Sequence, residues 1–206
     1  MGSRPEGETR SARKRRDILN AARQLFLSEG YAGAGMEQVA REAAVSTATL
    51  YVHFPSKSDL FRAVVEEAVA GLAREVVETR AETGDARTRL NTFARAYARF
   101  YADPLSRSVF RLATGERRRF GEMADYFRDR SRSDLGGSAI AVISRLRDEG
   151  LLTMDKPAWA AGQLLGMIEH ATLVYGLVAG DEAQPTRPLE AICADAVETF
   201  LARYGR

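Results

Sequence analysis

Cysteine occurs once in 206 residues, as Cys193, so no disulfide can close within the chain and a reducing compartment is expected. Histidine occurs twice, as His53 and His170. With three such ligands so far apart in sequence, no metal-binding constellation of His and Cys is legible. There is no glycine-rich phosphate loop and no nucleophile elbow, so neither an enzyme nor a bound cofactor is expected. Sustained alternation of apolar and polar residues is missing, and so are Asn-Gly and Asp-Gly turns, which argues against a sheet. The N-terminus carries charge without the apolar core of a signal peptide. The longest apolar stretch, Ala158 to Gly180, has the length of a membrane span but contains Gln163, Glu169 and His170. A charge at the bilayer centre is costly, so the stretch reads as a buried helix. A cytoplasmic protein with no membrane partner is the expectation.

What is present is a globular composition, 45% hydrophobic and 28% charged. The net charge of +2 is too small to imply a nucleic-acid partner, but its distribution is uneven. Residues 1–62 hold ten Lys/Arg against seven Asp/Glu, and the remainder holds twenty against twenty-one. The excess sits in Arg10, Arg13, Lys14, Arg15 and Arg16, a stretch without an acid. Such a cluster is either a solvated arm or a phosphate-contacting one.

Helical punctuation recurs along the whole chain and predicts an all-α fold of about nine helices. Ile18, Ala22, Leu25 and Phe26 share one helix face, with Gly30 as its stop. Ser56 with Asp59 reads as a capping box opening a helix that runs to about Thr83. Asp85 caps a helix carrying Leu90, Phe93, Tyr97, Phe100 and Tyr101. Asp103-Pro104 starts the next, ended by Gly115. A stretch from Phe120 to Asp148 follows, with Gly136-Gly137 as a place to bend. The last two helices, Ala158–Gly180 and Leu189–Tyr204, carry extensive apolar surface.

The informative region is Gly30 to Leu60. Two short helices, Met36–Ala43 and Ser46–His53, are joined by Ala44-Val45, the arrangement of a helix-turn-helix. Val39, Ala43, Val45 and Leu50 lock the pair, and Ala40, Ala43 and Ala44 allow a close crossing. Thr47, Ala48, Thr49, Tyr51 and His53 are left on the open face, small or hydrogen-bonding side chains suited to a major groove about 12 Å wide. Ser46 is placed to cap this second helix, whose N–H groups can face a phosphate.

The run Gly30-Tyr31, Val39 through Ser46, and Leu50-Tyr51-x-His53-Phe54-x-x-Lys57 resembles the DNA-binding domain of the TetR family. The resemblance covers roughly residues 13–65. It implies a homodimer that binds a double-stranded operator, in most members a repressor released by a ligand. Carried over by position, Thr47, Thr49, Tyr51 and His53 meet the DNA, and Tyr51 and Lys57 contact phosphates. Thr47 and Ala48 are expected nearest the bases, where a thymine methyl can be touched. Three positions depart from the family pattern: Gly35 stands where a threonine is usual, and Ala44 and Ala48 where glycines are. Gly35 removes a hydroxyl able to cap the helix and touch phosphate. Ala44 is strained if its φ is positive.

The resemblance divides the chain into an arm (1–12), a DNA-binding domain (13–62) and a sensing and dimerisation domain (63–206), with the last two helices forming the dimer interface. Two-fold symmetry implies a pseudo-palindromic operator, with recognition helices about 34–36 Å apart. The expected effector is a small hydrophobic or amphipathic molecule. Glu169-His170, ionisable residues in an apolar helix, are the local clue to its site. Phe93, Tyr97, Phe110, Tyr126 and Met167 are candidate walls, although their helical spacing favours reading each as plain core. Two other classes compete: an enzyme with an accessory helix-turn-helix, and a protein-interaction module in which the motif is only structural.

Overall fold

The computed structural model describes residues 9–115, 125, 129, 131–180 and 183–206. The chain divides into two compact units, Met1–Glu67 and Ala68–Arg206. Among the described residues the regular structure is helical, with one isolated antiparallel bridge between Leu152 and Gly205. No helix among them is long and apolar enough to cross a membrane.

The first unit holds α1 (Arg10–Gly33), α2 (Met36–Glu42), α3 (Thr47–His53) and the start of α4 (Lys57–Glu78). α1 begins at Arg10, with the Thr9 hydroxyl accepting from the Ala12 amide at 3.1 Å, so its basic residues lie on a capped helix from Arg10 onward. Gly30 interrupts it at φ +69, a value glycine tolerates without a Cβ penalty. Ile18, Ala22 and Phe26 are buried with Val39, Leu50 and Leu60. Phe61 meets Phe26 edge-on at 4.8 Å and Tyr31 at 5.0 Å, which fastens α4 to the C-terminal part of α1.

The second unit is organised around α5 (Ala86–Ala102), opened by the Asp85 carboxylate accepting the Thr88 amide at 2.7 Å. α5 packs against α6 (Pro104–Gly115), α7 (Gly137–Asp148), α8 (Pro157–Glu169) and α10 (Leu189–Tyr204). It can touch so many neighbours because large residues (Leu90, Phe93, Tyr97) alternate with buried alanines (Ala94, Ala98) that admit close helix crossings. α4 ends at Glu78, earlier than expected, and passes into a 3-10 turn, Thr79–Ala81. The single helix expected over Ala158–Gly180 is divided: a π-helical turn, His170–Val174, separates α8 from α9 (Tyr175–Ala179). A second π-helical turn, Ser131–Gly136, precedes α7 at the predicted Gly136-Gly137 bend.

Candidate nucleic-acid interface

α3 is amphipathic over two turns. Leu50 and Phe54, four residues apart, are buried, and α3 packs against α2. The opposite side carries Thr47, Ala48, Tyr51 (48% exposed) and Val52 (82% exposed). Thr49 and His53 lie half-buried at its borders. Val52 was missed by the sequence reading, although its position four residues after Ala48 places it on the same open face.

Ser46 caps α3: its hydroxyl accepts the Thr49 amide at 3.1 Å and lies 2.9 Å from the Thr49 hydroxyl. The predicted capping box at α4 forms, with the Asp59 amide donating to Ser56 at 3.1 Å and the Ser56 hydroxyl donating to the Asp59 carboxylate at 2.7 Å. The turn between α2 and α3 is a Schellman motif. Val45 donates to the Ala40 carbonyl at 3.0 Å and Ala44 to Arg41 at 3.1 Å. Ala44 takes the position that favours glycine, at φ +53, so the conditional strain read from the sequence is realised.

At α2, Gly35 is the N-cap with no side-chain hydrogen bond. Its φ is −100°, and a Cβ built on it meets nothing within 4 Å, so nothing in this backbone demands glycine. Lys57 lies at the start of α4 as expected. Its ammonium donates to the Ala32 carbonyl at 3.0 Å and sits 4.8 Å from the centre of the Tyr31 ring. The same side chain that the family pattern directs at a phosphate therefore also ties down the α1–α2 connection.

The proposed effector residues do not form one cluster. Phe93 and Tyr97 are buried and stacked at 5.6 Å, and the Tyr97 hydroxyl donates to the Glu169 carboxylate. Burial, then the neighbouring Tyr101 and Glu169, push the Tyr97 phenol well above its ordinary pKa, so it stays protonated. His170 points elsewhere and is exposed: adjacent residues on a helix diverge by about 100°, so only one of the pair can face α5. Met167 borders a different, open pocket with Ala171, Ile192 and Asp195. Phe110 is half-buried on α6. Tyr126 lies outside the described residues. Among those described, no cluster of three or more His, Cys, Asp or Glu is placed to hold a metal.

Two buried arginines escaped the sequence reading. Arg107 is fully buried and donates to the Ala183 carbonyl at 3.1 Å. A Cβ on Gly176 would overlap the outer part of its side chain, so a larger residue there forces Arg107 to move. Arg89 is buried and pairs with Glu149 at 2.5 Å. Glycine inside the apolar run was the one available signal for the first, and nothing in the spacing pointed to the second.

Residues 18–64 match the family model of bacterial regulatory proteins of the tetR family, and residues 88–206 match that of the AefR-like transcriptional repressor C-terminal domain. The transcriptional activator FasR of Mycolicibacterium smegmatis is 38% identical over 87 residues, 42% of this chain and 40% of that protein. The match thus spans about two fifths of this relative's length. A TetR-family transcriptional regulator from Mesorhizobium loti superposes with a TM-score of 0.83 at 29% identity, over 97% of this chain and 100% of the other. The flavonoid-responsive regulator FrrA superposes with a TM-score of 0.64 at 27% identity, over 94% and 97%.

Proposed function

Since the chain belongs to the TetR family of DNA-binding transcriptional regulators, with a C-terminal domain of the AefR-like repressor type, we propose that it represses transcription as a homodimer on a pseudo-palindromic operator and is released by a small hydrophobic or amphipathic molecule. Members of this family are transcription factors and not enzymes. The observation that carries the DNA-binding half is the division of α3 into a buried Leu50–Phe54 face and an open Thr47–Ala48–Tyr51–Val52 face. Thr47, Ala48 and Val52 are apolar or methyl-bearing and suit thymine methyls. Tyr51 and Lys57 are assigned to backbone phosphates, with Ser46, Thr49 and His53 supporting the ends and borders of the helix.

Dimerisation is assigned to α8, α9 and α10. α8, the π-helical turn after it and α9 leave Trp159 (70% exposed), Val174 and Val178 (86% exposed) on the surface, with Gly162 and Gly166 between Trp159 and Val174 offering close approach. An apolar row of this kind is what a second copy covers in a symmetric interface. His170 is exposed on this stretch and is better assigned to the dimer surface than to the effector site. The effector site is assigned to the Phe93–Tyr97–Glu169 cluster. FrrA is flavonoid-responsive, which supports testing flavonoids first. Release follows only if the effector binds the two states of the dimer with different affinity. A cytoplasmic location accompanies this reading.

The test is selection of bound duplexes from random DNA, followed by flavonoid titration of the selected complex. Enrichment of a two-fold symmetric site and its release by a flavonoid support the reading. Absence of any enriched site sinks the DNA-binding half. Enrichment without release by a flavonoid sinks the flavonoid assignment of the effector.

A further inference from the structure

Five basic residues open α1, and one of them, Arg15, lies against a ring at the end of α3. Arg13 and Arg16 lie 3.9 Å and 3.8 Å from the Asp17 carboxylate. Arg15 faces the other way: its guanidinium lies over the Phe54 ring, 5.4 Å from the centroid, and its side chain is exposed. No carboxylate among the described residues pairs with it. Phe54 is the residue that ends α3, its amide donating to Leu50 at 2.8 Å. Arg15 is thereby held at the C-terminal end of the proposed recognition helix by a residue that belongs to that helix's own buried face.

We propose that Arg15 is a phosphate-binding residue of the DNA interface, held ready by its cation–π contact with Phe54. The proposal rests on the DNA-binding reading above and adds a contact that neither the motif nor the family pattern supplied. A seven-residue helix is about 10 Å long, and the major groove is about 12 Å wide. A helix docked there ends beside the phosphates that line the groove. The C-terminal end of a helix repels phosphate through its carbonyls and dipole, so a cation is needed at that end. A guanidinium carries its N–H groups in a planar fork, and a phosphate can take two of them in parallel. The contact with Phe54 also removes part of the rotamer freedom that binding would otherwise cost.

The experiment compares salt dependence for wild type, Arg15→Gln, Arg15→Lys and Arg16→Gln on a duplex selected from random DNA. Arg15→Gln and Arg16→Gln remove the same charge from adjacent positions, so long-range electrostatics affects both alike. Arg15→Gln is expected to lower the slope of log K against log salt by about 0.9, which is roughly a 3.5-fold loss of the affinity change between 50 and 200 mM salt. Arg15→Lys keeps the slope, because it keeps the charge, but binds more weakly than wild type through loss of the paired donors. Arg16→Gln leaves the slope near that of wild type. Equal slopes for Arg15→Gln and Arg16→Gln overturn the proposal. So does an unchanged slope in Arg15→Gln while Lys57→Ala still lowers it, an outcome that leaves the DNA-binding reading intact. A wild-type slope near zero would instead remove that reading itself.

Discussion

Val45 donates its amide to the Ala40 carbonyl at 3.0 Å, and the turn this bond closes holds Ala44 at φ +53. An L-residue with a Cβ costs about 1–2 kcal/mol there, while glycine pays a smaller penalty in the unfolded chain. Ala44→Gly is therefore expected to stabilise the first unit by roughly 0.5–1 kcal/mol. Denaturant unfolding checks this, and a destabilised variant would mean that the turn is not strained.

Gly35→Thr should restore a hydroxyl at the α2 N-cap, in a backbone that already accommodates a Cβ. Glycine is a tolerable cap, so the stability gain is only a few tenths of a kcal/mol. The larger effect falls on DNA affinity. One new hydrogen bond to a phosphate is worth roughly 1 kcal/mol, about fivefold in Kd. Binding titrations on one selected duplex measure it, and unchanged affinity would show that the α2 N-terminus does not meet the backbone.

Gly176→Ala places a methyl group in the Arg107 side chain and is expected to destabilise by about 1–3 kcal/mol. Gly71 supplies the contrast. It lies within α4, and a Cβ there meets nothing within 4 Å. Gly71→Ala should stabilise by up to about 1 kcal/mol through helix propensity. Paired melting curves distinguish them, and shifts of the same sign would count against the Arg107 contact.

Hydrogen bonding from Arg89, assisted by Arg145, holds the Glu149 carboxyl below its ordinary value of 4.5. A carboxyl whose folded pKa is depressed contributes its stability above the unfolded value and loses it as pH falls through the folded one. Wild-type melting temperature should thus fall as the solution is acidified below the ordinary carboxylate range. Glu149→Gln should melt lower than wild type at neutral pH, with the difference closing at low pH. A constant difference at all pH values would show that the lost contribution is packing and not charge.

The boundaries of most helices were legible because local chemistry sets them. Ser46, Ser56, Asp85 and Asp103 each cap the helix that follows them. Gly30 and Gly180 stand at positive φ where helices were expected to stop. The open face of α3 was likewise readable, since four-residue spacing alone puts Leu50 and Phe54 on one side and Ala48 and Val52 on the other. The effector residues were less legible. Periodicity identifies an apolar face without saying which neighbour covers it, so Met167 and Glu169 could not be told apart by pattern.

By itself, then, the amino-acid order determined an all-helical chain, its caps and stops, and the helix-turn-helix spacing, because these depend on contacts within a few residues. Tertiary structure decided the rest. It turned Glu169 toward Tyr97 and left His170 exposed. It buried Arg107 against Gly176, and it laid Arg15 on Phe54, thirty-nine positions away in sequence. Each of these joins residues from different helices, and the direction in which one helix presents a side chain to another is set by packing rather than by either helix's own sequence period.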